Sequence, residues 1–389
     1  MSNPIYLDNN STTPVDSRVL EEMLPYFKEK FGNASSHQHR FGWIAEDGMN
    51  QALERISELI GSSVEDFIFT SGATESINLV LKGLYQSSVF ENQQIITSHT
   101  EHSALLEPLE ELKQKGVKVH YVPVDKSGLL DLNNLEEALN HKTALVAIMM
   151  ANNETGVIQS ISEISQLAHK AGSLFFTDAT QAYGKIPFQV RPLGIDLMAC
   201  SAHKIYGPKG IGGLYIHPHS PIKLKGQITG GGQQNNIRSG TLNIPGIVGF
   251  GKASELCQAE MKTEGTIHSQ WRDWMEAHLL SIPYSHVNGK TQERLPNTLN
   301  IRFDYLRAEQ LFSKIPEIAI SSGSACNSAN PEPSHVLMNM GLSEKQAKSS
   351  IRIGIGRMNT YQEILEAGDQ IKKAVERLQM ENPLFKKRG

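Results

Sequence analysis

Short apolar runs alternate with amphipathic segments between about residues 71 and 216, and this alternation limits the possible fold more than any other feature. The apolar runs cover residues 95–97, 117–122, 145–150, 174–177, 197–200 and 214–216. Hydrophobic residues recur at helical spacing in 105–115, 132–140 and 161–171. Strands that are apolar on both faces and separated by helices are typical of a parallel sheet covered on both sides. The ligand of such a sheet binds beyond the carboxyl ends of its strands.

The last third of the chain has a different pattern. Residues 299–303 and 351–355 alternate apolar and polar side chains, which predicts strands with one face exposed to solvent. A later helix has one apolar stripe, formed by Ile364, Leu365, Gly368, Ile371, Val375 and Leu378. We therefore predict an α/β protein in which residues 15–264 form a large parallel-sheet domain. Residues 1–14 and 265–389 would form a small α+β domain.

Charge and composition exclude several classes of function. The 389 residues carry a formal net charge of −4, so there is no long-range attraction for nucleic acid or an anionic membrane. The longest apolar run, residues 144–151, is too short to cross a bilayer, and the first residues lack the features of a signal peptide. Cys200, Cys257 and Cys326 form no CxxC pair, which argues against a zinc site or a disulfide framework. We expect a cytoplasmic protein.

Lys204 is the first candidate for chemistry. It follows the predicted strand 197–200 in a segment of small and hydroxyl-bearing residues. Partial desolvation at the end of a strand would lower the pKa of its amine and leave it free to form a Schiff base. Residue type alone favours an ordinary solvated lysine instead.

Two further segments lie after predicted strands. Asp178 ends the run 174–177, where a carboxylate can pair with a protonated pyridine nitrogen and make the ring a better electron sink. Residues 71–76 follow an apolar run and open an amphipathic helix, whose free N–H groups and the Thr74 hydroxyl suit a phosphate. Taken singly, a helix N-cap and a capping box explain these residues equally well.

Considered together, the motifs resemble a known family. They are SGATES at 71–76, NNETG at 152–156, DATQ at 178–181, SAHK at 201–204 and RSGT at 238–241. In this order they resemble the class V, fold-type I pyridoxal-phosphate enzymes. The segment SSGSAC at 321–326 narrows the resemblance to cysteine desulfurases of the NifS/IscS type. The resemblance extends over nearly the whole chain, from residues 6–8 to Arg352.

The resemblance implies a fold-type I transferase that binds pyridoxal 5'-phosphate. Lys204 would hold the cofactor covalently, Asp178 would pair with the pyridine nitrogen, and Gln181 would reach the ring hydroxyl. Thr241 would contact the phosphate of a neighbouring subunit, so a homodimer is implied. The other implied cofactor-binding residues are Ala73, Thr74, Asn153, Ser201 and His203.

The resemblance also implies roles in catalysis. His102 would lie over the pyridine ring and shuttle protons, while Asn153 and Arg352 would bind the carboxylate of the substrate, L-cysteine. Cys326 lies in a polar segment with two prolines, where a thiol is accessible and can ionise. It would receive the sulfur as a persulfide and pass it to an acceptor such as an iron–sulfur scaffold protein. Cys200 and Cys257 are interpreted as structural.

The sequence leaves other functions open. A class V aminotransferase needs no thiol in this segment, so Cys326 counts against it, but residue types do not exclude a selenocysteine lyase. A non-enzymatic sulfur-carrier or scaffold protein is disfavoured because it would not need Lys204 and Asp178. Residues 289–291 look like part of a nucleotide-binding P-loop, but Tyr284 stands where the first glycine must be. The identity of the sulfur acceptor stays open.

Overall fold

The computed structural model describes residues 4–219, 224–291, 293–322 and 332–386. The strands in these residues are β1 (Ile5–Tyr6), β2 (Phe67–Thr70), β3 (Gln94–Ser98), β4 (Lys118–Val122), β5 (Thr143–Ala147), β6 (Leu174–Asp178), β7 (Leu197–Ser201), β8 (Gly212–Ile216), β9 (Ser285–Val287), β10 (Thr298–Phe303), β11 (Ile318–Ala319) and β12 (Ser350–Gly354). The α-helices are α1 (Ser17–Met23), α2 (Pro25–Lys28), α3 (Arg40–Ile60), α4 (Ala73–Gln86), α5 (Ser103–Gln114), α6 (Leu132–Ala138), α7 (Ile161–Lys170), α8 (Ile244–Leu280), α9 (Ala308–Lys314), α10 (His335–Asn339), α11 (Glu344–Ala347), α12 (Tyr361–Glu381) and α13 (Pro383–Lys386).

Seven strands form the large sheet, in the order β2-β8-β7-β6-β5-β3-β4. The strands β3 to β7 are mutually parallel, as the alternation predicts. The strand β8 is antiparallel to both of its neighbours, so the prediction that residues 214–216 join a purely parallel sheet is wrong. The reason is the connection from β7, which contains no crossover helix to return the chain to the start of the sheet.

Both faces of this sheet are buried under helices. Phe175 and Phe176 are adjacent on β6, point to opposite faces and are completely buried. Phe175 belongs to the core that includes residues of α3, α7 and α8. Phe176 belongs to the core that includes residues of α4 and α5. The central strands of the sheet are therefore covered on both sides, as predicted, while the edge strand β4 has exposed residues at Lys118 and His120.

A third core lies beyond the large sheet. The antiparallel strands β12-β10-β9 and the parallel pair β1-β11 surround it, and α12 packs against it with its apolar stripe. Helix α8 connects this core with the one that contains Phe175, because Phe250 of α8 lies in the core of Phe175 and Leu279 of α8 lies in the core beyond the sheet. The boundary predicted at residues 264 and 265 falls within this continuous helix. The division into residues 15–264 and the remainder stays a prediction.

The strands β10 and β12 differ from the sequence expectation. Their alternating pattern predicted one solvent-exposed face, which is wrong, because the polar residues Asn300 and Arg352 are 1% and 2% exposed. Asn300 donates a hydrogen bond from Nδ2 to the backbone oxygen of Glu154 at 3.1 Å. Arg352 forms an ion pair with Asp8 at 2.7 Å. The polar face is therefore turned toward the loops of the large sheet and the N-terminal segment. In the described part of the chain, no helix is long and apolar enough to cross a membrane.

Candidate active site

A cavity of about 870 Å³ opens at the carboxyl ends of the large sheet. Ten of the predicted site residues line it, and they end or follow β2, β3, β5, β6 and β7 or lie on β12: Ala73, Thr74, His102, Asn153, Asp178, Gln181, Ser201, His203, Lys204 and Arg352. Thr241 is exposed and does not line this cavity. Cys326 lies outside the described residues.

Lys204 ends a short 3-10 turn directly after β7, and this turn places its amine in the cavity. The Nζ atom donates hydrogen bonds to the backbone oxygens of Asn10 at 2.7 Å and Ser11 at 2.5 Å. Burial, together with the charge of Arg352, lowers the pKa of Lys204 to about 8, although Asp178 and Asp8 oppose the shift. A substantial fraction of the amine is therefore unprotonated at mildly alkaline pH and available as a nucleophile.

We expect the cofactor-free protein to capture pyridoxal phosphate at a rate that rises with pH up to about 8 and then levels off. Only the unprotonated amine attacks the aldehyde, so the rate should fall about tenfold for each pH unit below the pKa of Lys204. Stopped-flow absorbance between roughly pH 6 and pH 10 measures this profile. An increase that continues to about pH 10, as for an ordinary lysine, would mean that Lys204 is not desolvated in this way.

Asp178 and Gln181 come from the end of β6 and the turn after it. The Asp178 carboxylate is 7% exposed, and its Oδ1 accepts a hydrogen bond from the backbone nitrogen of Thr180 at 2.9 Å. Gln181 is 5% exposed and donates from Nε2 to the backbone oxygen of Asn10 at 2.9 Å. Both side chains are thus held in place by the turn or by the N-terminal segment, and both line the cavity.

The N-terminus of α4 lines the cavity and can bind an anion. Its N-cap residue, Gly72, makes no side-chain capping hydrogen bond, so the first N–H groups at Ala73 and Thr74 are left for a ligand. Glu75 lies in the same turn, but its carboxylate accepts hydrogen bonds from the Ser71 nitrogen and from Arg238 Nε, both at 2.8 Å. These bonds offset its negative charge, so the helix N-terminus can attract a phosphate.

Two histidines of the cavity are held in defined orientations. His203 Nδ1 lies 3.1 Å from Thr12 Oγ1, and burial and the charge of Lys204 lower its pKa to about 4. His102 caps α5, and its Nδ1 accepts a hydrogen bond from the Ala104 nitrogen at 3.1 Å. Its proton is therefore on Nε2. Although His102 faces the open cavity, the surrounding protein desolvates it and lowers its pKa, so a neutral ring suited to proton transfer is favoured.

Arg352 combines two fixed contacts with one unused donor. Its Nη1 donates to the backbone oxygen of Asn153 at 3.0 Å, and its Nη2 donates to Asp8 Oδ1 and Ser11 Oγ, both at 2.7 Å. Its Nε is buried and makes no hydrogen bond with any described residue. A buried N–H without a partner is costly, so this position suits an acceptor such as a substrate carboxylate.

These groups fit pyridoxal phosphate. The amine of Lys204 suits the aldehyde, the buried carboxylate of Asp178 suits the pyridine nitrogen, and the uncapped start of α4 suits the phosphate. Among the described residues, no group of three or more histidine, cysteine, aspartate or glutamate side chains could hold a metal ion.

Sequence reasoning missed several residues at this site. Asn10 and Ser11 hold the Lys204 amine through backbone oxygens that lie more than 190 residues earlier in the chain. Lys185 contacts Gln181, and His335 donates from Nε2 to the backbone oxygen of Glu101 at 2.9 Å. Backbone acceptors have no signature in the sequence. Lys185 lies four residues after Gln181, a spacing that gives neighbours in a helix, but these residues lie in turns.

The comparisons with known proteins decide the family. Residues 5–366 match the family model described as Aminotransferase class-V. Cysteine desulfurase IscS from Anaeromyxobacter sp. (strain Fw109-5) is 46% identical over 389 residues, which cover 99% of this chain and 96% of that protein. The chain belongs to the class-V aminotransferase family. The cysteine desulfurase IscS of Salmonella schwarzengrund (strain CVM19633) is 42% identical, with 99% of this chain and 96% of that protein covered.

Solved structures agree with this class-V assignment. A NifS-like protein matches with a TM-score of 0.90 at 37% identity, covering 96% of this chain and all of the other. The NifS-like protein from Rickettsia africae matches with a TM-score of 0.84 at 31% identity, covering 95% and 99% of the two chains. The predicted fold class and the predicted membership of the pyridoxal-phosphate-dependent cysteine desulfurases are confirmed. The individual roles of the site residues stay predictions.

Proposed function

We propose that the protein removes sulfur from L-cysteine with the help of pyridoxal phosphate, giving L-alanine and a persulfide on Cys326. One observation supports this most directly. The Lys204 amine, the Asp178 carboxylate and the Arg352 guanidinium line a single cavity in a chain of the cysteine desulfurase type. The same chain carries a cysteine in the segment SSGSAC at 321–326.

The cofactor, when bound, draws electron density from the α-carbon of the substrate. Asp178 would keep the proton on the pyridine nitrogen, since its carboxylate is buried in the cavity and held by the turn. The Lys204 amine, once released by the incoming substrate, would take the α-proton, with the neutral ring of His102 as a second acceptor. Burial lowers the pKa of both groups, which increases the fraction of each that is unprotonated and can accept a proton.

Cys326 would then complete the transfer of sulfur. Its thiolate attacks the sulfur of the bound substrate and forms an S–S bond while the C–S bond breaks, and the electron pair stays on the carbon. A proton on that carbon gives alanine. The sulfur is oxidised as the carbon is reduced, so no external oxidant or reductant is needed. Accessible thiolates are the form of cysteine that reacts in this way.

Arg352 and Asn153 would orient the substrate. The Arg352 guanidinium is fixed by Asp8 and Ser11, and its Nε–H is directed to no described acceptor. A guanidinium held in this way recognises the planar carboxylate of an amino acid with little loss of side-chain entropy. The cysteine sulfur would consequently be presented in one orientation to the incoming thiolate.

We also propose that the working form is a homodimer in the cytoplasm. Residues 24–43 expose five large apolar side chains, each between 53% and 62% exposed: Leu24, Phe27, Phe31, Phe41 and Trp43. An exposed apolar surface of this kind favours burial against another chain. Thr241 is exposed and does not line the cavity of its own chain, so it is free to contact the phosphate bound in the other subunit.

The dimer is tested by the mass of the protein in solution. Sedimentation equilibrium should give twice the mass of the 43.0 kDa chain, and a monomer would contradict the proposal.

The proposed reaction is tested by its products. Purified protein loaded with pyridoxal phosphate should release alanine from L-cysteine, with one sulfur atom transferred for each alanine. A keto acid without free sulfur would show amino transfer instead. Equal or faster alanine release from selenocysteine would redirect the proposal to that substrate. The acceptor, for which we propose an iron–sulfur scaffold protein, is tested by its labelling with sulfur from cysteine.

A further inference from the structure

A second, much smaller cavity adjoins Lys204. Its volume is about 20 Å³, close to that needed for one water molecule. A second amine, Lys185, lines it together with Lys204, Glu264 and His268. The reaction described above gives Lys185 no part, although a lysine this close to a Schiff-base amine affects its charge.

Lys185 and Lys204 are joined by a short hydrogen-bond chain. Lys185 Nζ donates to Gln181 Oε1 at 2.8 Å. Gln181 Nε2 donates to the backbone oxygen of Asn10 at 2.9 Å, and Lys204 Nζ donates to this same oxygen at 2.7 Å. The two amines are therefore separated by one side-chain amide and one backbone carbonyl.

The charged amine of Lys185 is the main contact that fixes which way the Gln181 amide points, because the other donor to Gln181 Oε1, Asn10 Nδ2, lies farther away at 3.4 Å. An ammonium group has three donors and no acceptor, so it must face the amide oxygen. The Nε2 group is then turned to the Asn10 carbonyl, which uses one of its two hydrogens. Gln181 also lines the large cavity, so the second hydrogen is available to an acceptor there. Without an ammonium at residue 185, the amide could turn and present its oxygen instead.

We propose that Lys185 is a positioning residue that holds Gln181 as a hydrogen-bond donor toward the anionic ring oxygen of the cofactor. The proposal rests on the proposed function and deepens it, since it concerns the same cofactor site. It makes Lys185 a determinant of how tightly pyridoxal phosphate binds and of the protonation state in which it is held.

The groups facing Lys185 explain why its charge can change near neutral pH. Burial is the main cause, and the charges of Lys204 and Arg352 add to it, so that the pKa of Lys185 is lowered to about 7. Cys257, from α8, acts in the opposite direction. Below about pH 7 the ammonium fixes the amide most firmly, and above that pH its hold weakens.

Two further titratable groups face the small cavity from α8. The Glu264 carboxylate is bound by Arg357, whose Nε and Nη2 both donate to it, so it is already neutralised. Burial lowers the pKa of His268, although Glu264 opposes this shift. His268 is therefore neutral, and the charge of Glu264 is offset by Arg357. The two lysines, Lys185 and Lys204, are the groups whose charges interact across this small cavity.

Three variants test the proposal: Lys185→Met, Lys185→Arg and, as a matched loss of one positive charge elsewhere, Lys170→Met. Lys170 is a suitable control because its side chain is 78% exposed on α7. Equilibrium binding of pyridoxal phosphate should weaken about tenfold in Lys185→Met, stay near wild type in Lys185→Arg, and be unchanged in Lys170→Met. As the pH is lowered, the visible spectrum of the bound cofactor should lose its anionic form at a higher pH in Lys185→Met than in Lys185→Arg, because the anion has lost a hydrogen-bond donor and a nearby positive charge.

Two further experiments distinguish a positioning role of Lys185 from a merely structural one. Lys185→Met in a Gln181→Ala background should give no further loss of affinity, because the effect passes through that amide. In cofactor-free protein, competitive acetylation of Lys204 across pH, followed by mass spectrometry, reports its apparent pKa. This pKa should fall in Lys185→Arg, which stays charged while Lys204 titrates, and stay near the wild-type value in Lys185→Met.

Contrary outcomes are equally specific. The proposal is wrong if Lys185→Met binds the cofactor like wild type, or if its loss of affinity persists unchanged in the Gln181→Ala background. It is also wrong if the pH profile of Lys204 acetylation is the same in all variants. Failure of the wild-type protein to bind pyridoxal phosphate would instead refute the proposed function, while the acetylation profile would still report on Lys185.

Discussion

Replacing Lys204 with alanine should abolish the visible absorption of the bound cofactor and reduce alanine release from cysteine by roughly three orders of magnitude or more. The amine is the only group of residue 204 that can bond to the aldehyde, and its lowered pKa makes it reactive. Noncovalent contacts at Asp178 and the start of α4 would remain, so some weakly held cofactor is expected. Absorbance spectra and alanine release measure the two effects.

The fold should survive this substitution. Lys204 donates two hydrogen bonds to the backbone oxygens of Asn10 and Ser11, and their loss should cost about 1–3 kcal/mol. Removing a positive charge from beside Arg352 offsets part of this cost. Lys170→Ala is the matched control and should keep both absorbance and activity. A Lys204→Ala protein that keeps full absorbance and turnover would remove this residue from the chemistry.

Changing Cys326 to serine should leave cofactor binding intact and reduce sulfur release from cysteine by about a hundredfold or more. The residues that fit the cofactor lie elsewhere in the chain, in the cavity beyond the large sheet. A serine hydroxyl does not ionise near neutral pH, so it cannot replace a thiolate as the sulfur acceptor. The visible spectrum and the yield of sulfide after reduction distinguish binding from transfer.

The other cysteines supply the control for this second prediction. Cys200 and Cys257 are 0% and 1% exposed. Burial raises the pKa of both thiols, that of Cys257 to about 12, so neither forms a reactive thiolate. Cys257→Ala should therefore keep normal sulfur release, with some loss of stability from the space left in the core. Full activity in Cys326→Ser, or its loss in Cys257→Ala, would contradict the assignment.

Local patterns were sufficient for much of this fold. Unbroken apolar runs such as 174–177 became buried parallel strands, because a strand covered on both faces needs apolar side chains at every position. The direction of β8 could not be read from its apolar residues, which fit either pairing. The burial of Asn300 and Arg352 was missed because their partners lie far away in the sequence.

In the candidate site, too, some residues could be predicted from the sequence and others could not. Residues that directly follow strands, such as Asp178 and Lys204, were predicted from position, since the carboxyl ends of parallel strands meet at one edge. The contact of Lys204 with Asn10 depends on the packing of the N-terminal segment against the end of β7, which no local pattern reveals. Lys185 was missed for a related reason, because only its contact with Gln181 distinguishes it from a solvated lysine.

A single turnover followed by peptide mass spectrometry tests the central claim most directly. The holoprotein would be mixed with less than one equivalent of L-cysteine, alkylated and digested. The peptide containing Cys326 should gain the mass of one sulfur atom for each alanine formed. Alanine formed without added sulfur on that peptide, or with the sulfur on Cys200 or Cys257, would contradict it.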